Sequence, residues 1–160
     1  MSKIFFLVFT VVLAISCRTN VGDGEKISNQ AFVQDNASIF SDDETRKLTL
    51  KILNYEVKST NEICIFTLDS IPNHEKPMYY ATNLANNLGV GKKEKDNGLL
   101  ILVSKYDREL AIVTGLETEN YLTDYKCKVL IDSIIVPKFK KGEFYLGINN
   151  ALDRIIYEWK

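Results

Sequence analysis

No apolar run in this 160-residue chain is long enough to cross a bilayer as a helix, which takes about twenty residues. Histidine occurs once, as His74, so a general acid/base that needs partnered imidazoles has little to draw on. Basic residues do not outnumber acidic ones: 20 Lys and Arg stand against 21 Asp and Glu, a net charge of −1. That balance argues against nucleic acid as a partner. No internal repeat or low-complexity segment is visible, no EF-hand spacing is present, and the glycine-containing loop at 89–98 lacks the Walker spacing of a P-loop. Cysteine is limited to Cys17, Cys64 and Cys127. Cys64 lies in the apolar run ICIF and Cys127 on a helix face, which suits two buried thiols. An oxidised pair is the alternative in an exported protein.

What is present begins at the N-terminus. Met1-Ser2-Lys3 is a short cationic start, and Ile4 to Ile15 is apolar except for Thr10. A charged start, a short apolar stretch and small residues before a cleavage point make an export signal. Ala14-Ile15-Ser16-Cys17 closes it and resembles a bacterial lipobox, in which the cysteine after the cut carries lipid. An ordinary secretory signal ending near a cysteine is the alternative. The preferred reading gives a signal peptide at 1–16, a lipidated Cys17 with a polar tether to Ser28, and one α/β domain at 29–160. The membrane would then be a partner through the lipid on Cys17, and the domain would face the periplasm or the cell exterior.

The remainder alternates strand and helix signals. A short strand is expected from Ala31 to Val33, ending at Asp35. Ser41-Asp42-Asp43-Glu44 has the form of a capping box and opens a helix to about Lys58, with Leu48, Ile52, Leu53 and Tyr55 on its apolar side. Glu62–Leu68 reads as a strand covered on both faces. Pro77 starts a helix that Gly89 ends. Gly98–Val103 and Glu109–Thr114 are close enough for an antiparallel hairpin. Thr123 caps a helix that Pro137 bends or ends, and a last helix runs from about Glu143 to Trp159. A right-handed crossover through the Pro77 helix is expected. The fold class is α/β: a three-layer α/β/α sandwich around a mixed sheet of about four strands.

Acidic residues gather in three loops: Asp35; Asp96 with Asn97 and Gly98; and Glu117 and Glu119 followed by Asp124. Oxygen donors from separate loops are what calcium or magnesium requires. Each residue also has an ordinary reading as a turn or cap residue, so the metal idea needs them to converge.

Three stretches carry a resemblance. Asp35-Asn36-Ala37, the segment Gly89-Val90-Gly91-Lys92 through Asp96-Asn97-Gly98-Leu99-Leu100, and Ile135-Val136-Pro137-Lys138-Phe139 through Gly142 are similar to the D-x-A, G-x-G-K-x-x-x-D-N-G-x-L and I-x-P-x-F-x-x-G motifs of the TPM domain family. The resemblance implies an α/β/α sandwich. It also implies an association with calcium binding, with a weak acid phosphatase activity, or with membrane-protein maintenance. By position, Asp35, Asp96 and Asp124 match acidic family residues, and Glu119 matches the glutamate of G-Y-G-L-E. Leu116 and Glu117 depart from that motif. Two functions follow as expectations. One is a divalent-cation-binding module, calcium first and magnesium second, that docks on envelope proteins with Asp35, Asp96, Glu117, Glu119 and Asp124 as ligands. The other is a metal-dependent phosphatase with Lys92 and Lys93 on the phosphate.

Overall fold

The computed structural model describes residues 32–160. The export signal, Cys17 and the tether lie outside the described residues.

Four strands form one sheet in the order β1 (Val33–Asp35), β2 (Glu62–Leu68), β3 (Gly98–Ser104), β4 (Glu109–Thr114). The first three are parallel and β4 is antiparallel to β3. The sheet is therefore mixed, with four strands, as the pattern of elements implies. β3 is buried at every residue, and its alternation explains why. Leu99, Ile101 and Val103 point into the larger apolar cluster, whereas Leu100 and Leu102 point into the smaller one. A central strand sandwiched between helical layers has no polar face to spare.

The larger cluster is roofed by α1 (Asp42–Ser59) and by the C-terminal helices α4 (Asp124–Leu130), α5 (Val136–Phe139) and α6 (Phe144–Glu158). The other face is covered by α2 (Pro77–Leu88) through Ala81, Leu84, Ala85 and Leu88. Each large aliphatic side chain buried this way contributes about 1.5–3 kcal/mol.

The capping box forms as its sequence implies: Glu44 N–H donates to Ser41 Oγ, and Ser41 N–H donates to Glu44 Oε2 at 2.8 Å. Three details depart from the sequence reading. Leu53 is 39% exposed, while Leu48, Ile52 and Tyr55 make the buried stripe. The segment 115–119 is not a plain loop, because α3 (Leu116–Glu119) is one helical turn. Pro137 does not end its helix, which continues to Phe139. Residues Ile131–Ile135 widen into π turns, with Val136 N–H donating to Ile131 O five residues back. Proline has no N–H to return to the preceding turn and its ring crowds that turn. A locally widened helix accommodates both.

Cys64 and Cys127 are buried thiols that form no disulfide with each other, as the apolar placement implies. They belong to opposite faces of the sheet. Burial pushes the Cys64 thiol up to about 12. Burial, with Asp124 and Glu119 nearby, raises Cys127 to about 11. Neither is a thiolate at neutral pH, so neither is an activated nucleophile.

Candidate functional site

Asp35 and Asp96 stand at opposite ends of the sheet. Asp35 ends β1 and pairs in register with Thr67, which pairs with Val103. Asp96 precedes β3 by two residues. From Val103 back to Gly98 is five residues of strand, about 16 Å at 3.3 Å per residue. Asp35 therefore drops out of the expected ligand set. Its carboxylate accepts from Ile39 N–H at 3.1 Å, Phe40 N–H at 2.9 Å and the Thr67 hydroxyl at 2.5 Å. Thr67 Oγ1 in turn accepts from Ala37 N–H. The D-x-A motif is a turn lock, and buried Thr67 is the partner that sequence reading overlooked.

The G-x-G-K-x-x-x-D-N-G segment is a backbone crossing. A Cβ on Gly98 would lie 2.3 Å from the Val90 carbonyl oxygen, and one on Gly115 would lie 2.1 Å from the Asp96 carbonyl oxygen. Only hydrogen fits at either point. Gly115 N–H donates to Gly98 O at 2.9 Å, and Glu117 N–H donates to Asp96 O at 3.2 Å. The start of β3 and the end of β4 are thus bound together, and α3 rests on Asp96.

Asn97, 2% exposed, is the tie. Its side-chain amide donates to Thr60 O at 2.8 Å and to Asn61 Oδ1 at 3.2 Å, while its Oδ1 accepts from Lys92 N–H at 3.0 Å. Removing it leaves three part-buried partners without their bond, at about 0.5–1.5 kcal/mol for each bond lost. Asn97→Ala is expected to lose about 2 kcal/mol in urea unfolding.

Lys92 is already engaged. Its ammonium donates to Glu62 Oε1 at 2.9 Å and lies 3.6 Å from Glu56 Oε1. Glu62 also accepts from Gly91 N–H at 2.8 Å. The signal that could have found Glu62 is its place as the one charge opening an apolar strand. Lys92, paired twice, is a loop anchor, and Lys93 is the exposed lysine beside it. Hydrogen bonding to Glu62 raises the Lys92 pKa above its ordinary value. A raised folded-state value gives stability that is present below the ordinary lysine range near 10.4 and lost as pH climbs through the folded value. Lys92→Met should therefore flatten the alkaline limb of a stability–pH curve and leave the neutral region nearly unchanged in shape, since the pair is partly solvated.

The remaining acids share one end of the molecule. Asp96 leads into β3, and Glu117 and Glu119 lie on α3. Asp124 opens α4 behind Thr123, whose hydroxyl accepts from Lys126 N–H. Glu119 and Asp124 both act on Cys127, so they flank the same helix start. All four are exposed. Among the described residues, no three His, Cys, Asp or Glu side chains stand close enough together to hold a metal ion. The donor type nevertheless fits a hard cation: carboxylates, with only Glu117 held by a neighbour, Asn120, at 3.3 Å. A cavity of about 410 Å³ between α2 and the strand ends adjoins Asp96 alone of the four, lined also by Asn86, Gly91, Lys93 and Thr114 among others. His74 is exposed in the 3₁₀ turn Pro72–His74, away from this end.

Among curated proteins, none matches the chain. Solved structures share its fold. The N-terminal domain of a protein from P. gingivalis superposes with a TM-score of 0.74 at 23% identity, covering 82% of this chain and 83% of that one. BA42 protein from Bizionia argentinensis gives 0.63 at 20% identity, covering 76% and 86%. The N-terminal domain of cg2496 protein from Corynebacterium glutamicum gives 0.64 at 15% identity, covering 94% and 88%. The family model for the TPM domain matches residues 33–158, nearly the whole described fold, and on that match the chain belongs to the TPM domain family.

Proposed function

We propose that this protein is a lipid-anchored envelope module whose TPM domain binds a divalent cation, calcium first, at the end of the sheet where β3 begins. The bound end then serves as a docking surface for an envelope protein. The observation that carries this reading is the arrangement around the Gly98–Gly115 crossing. It brings the exposed carboxylates of Asp96 and α3 to one end of the fold, beside the start of α4. Asp96, Glu117, Glu119 and Asp124 are the residues that would hold the ion. Hard oxygen donors of this kind suit calcium, and magnesium under stricter geometry. When bound, the cation would offset two of the four like charges and stiffen the α3 turn.

A metal-dependent phosphatase is the second reading. What favours it is Lys93, which lines the same cavity as Asp96. Lys92 no longer supports it, because its charge is spent on Glu62 and Glu56.

Calorimetry and phosphomonoester turnover on residues 18–160, with and without calcium or magnesium, separate the two. Asp96→Asn retains a residue that tolerates the left-handed backbone at this position, where φ is 48°. It is expected to weaken cation binding about ten-fold or more without loss of fold. Binding without turnover supports the module. Metal-dependent turnover lost in Asp96→Asn supports the phosphatase, and absence of both defeats the cation account.

A further inference from the structure

At the opposite end of the sheet, a cavity of about 480 Å³ opens between the β3–β4 hairpin and the corner joining α5 to α6. That volume lies within the range of about 300–1,000 Å³ typical of small-molecule pockets. Its wall is apolar, with Leu110 from β4 and the rings of Phe139 and Phe144. Those rings stand edge to face with centroids 4.9 Å apart. Its rim is cationic: Lys105, Arg108 and Lys140 face one acid, Glu109. Lys105 is partly used, since its ammonium donates to Ala37 O at 2.9 Å. Among the described residues, the Arg108 guanidinium and the Lys140 ammonium have no hydrogen-bond or ion-pair partner. Arg108 also occupies a left-handed backbone position, φ 57°, where a hairpin would hold glycine at less cost.

Two unspent cations above an aromatic and aliphatic wall are complementary to a particular kind of molecule. We propose that this cavity binds an organic anion with an apolar body, an aryl or branched acyl carboxylate. Its carboxylate would meet Arg108 and Lys140, and its body would lie against Leu110, Phe139 and Phe144. A guanidinium presents a fork of donors that matches a carboxylate's two oxygens, and the apolar wall rewards the body for leaving water. Neither half of the site suffices alone: a small anion lacks the body, and a neutral aryl compound lacks the charge. The site is separate from the cation end by the length of β3.

The test uses ¹⁵N-labelled residues 18–160 titrated with 3-phenylpropionate, with 3-phenylpropionamide and with acetate at matched ionic strength. The expected result is saturable shifts at amides of 103–110 and 136–144 with phenylpropionate. The amide and acetate should bind about ten-fold more weakly or worse. Arg108→Gly relaxes the left-handed position, so its unfolding midpoint should not fall, yet its affinity should drop about ten-fold. Lys140→Gln should weaken binding in the same direction. Absence of shifts in those two segments overturns the proposal. So does equal binding of the neutral amide, equal binding of acetate, or unchanged affinity in the folded Arg108→Gly variant.

Discussion

Gly115→Ala should unfold at a markedly lower urea concentration, with a loss of about 3 kcal/mol, the upper end of the overpacking range. The would-be methyl lies 2.1 Å from the Asp96 carbonyl oxygen and 2.7 Å from its carbon. Both are backbone atoms and cannot swing away as a side chain would. The backbone itself is unremarkable there, with φ at −74°, so the whole cost is contact. Relief requires α3 to lift from Asp96, which breaks the Glu117 N–H bond to that same carbonyl. Gly89→Ala is the matched control. Nothing lies within 4 Å of its added methyl, but φ is +67°, so only the left-handed penalty of about 1–2 kcal/mol applies. If Gly115→Ala proves as mild as Gly89→Ala, the tight crossing is wrong.

The second large effect lies at the other end of the chain. Trp159→Ala is expected to lose about 4 kcal/mol, as full truncation of a buried aromatic does. Trp159 is 1% exposed although it is the penultimate residue. Its ring meets Tyr55 of α1 at 5.9 Å between centroids, and the Tyr55 hydroxyl donates to the Trp159 backbone carbonyl. The tail is therefore a clasp between α6 and α1. Denaturant unfolding followed by far-ultraviolet circular dichroism measures the loss, since the substitution removes the only tryptophan. A loss under about 1 kcal/mol, the scale of an exposed-site change, would contradict the clasp.

The strands and most helices were legible because their residues obey one period at a time. GLLILVS is apolar at every position that either helical layer needs, and the buried positions 48, 52 and 55 repeat as one face of α1. Leu53 reads as core because it directly follows buried Ile52 and stands two residues before buried Tyr55, although its helix angle puts it beside exposed Leu50 and Val57. The π turns before Pro137 were not legible, since a proline in a helical pattern signals a break without saying how the chain absorbs it. The TPM motifs identify the family correctly, and several of their residues have a structural task. Asp35 locks a turn, Asn97 ties three segments, and Phe139 packs on Gly147, where a Cβ would lie 2.8 Å from its ring.

The error in the ligand set has a plain cause. Asp35 ends a strand, whereas Asp96 precedes one, and in a parallel sheet those positions lie at opposite ends. Strand direction is implied by the helices between β1 and β2 and between β2 and β3, so topology alone separates the two aspartates. What sequence alone could not supply was the pairing of Lys92 with Glu62 and Glu56, three residues whose meeting depends on the packed loop.

Calcium titration of ¹⁵N-labelled residues 18–160, followed amide by amide, tests the central claim most directly. Cation binding at the start of β3 predicts saturable shifts clustered in 92–98 and 115–125, weakened in Asp96→Asn, with Asp35 and its turn unmoved. Shifts centred on 35–40, or none at all with calcium or magnesium, would contradict it.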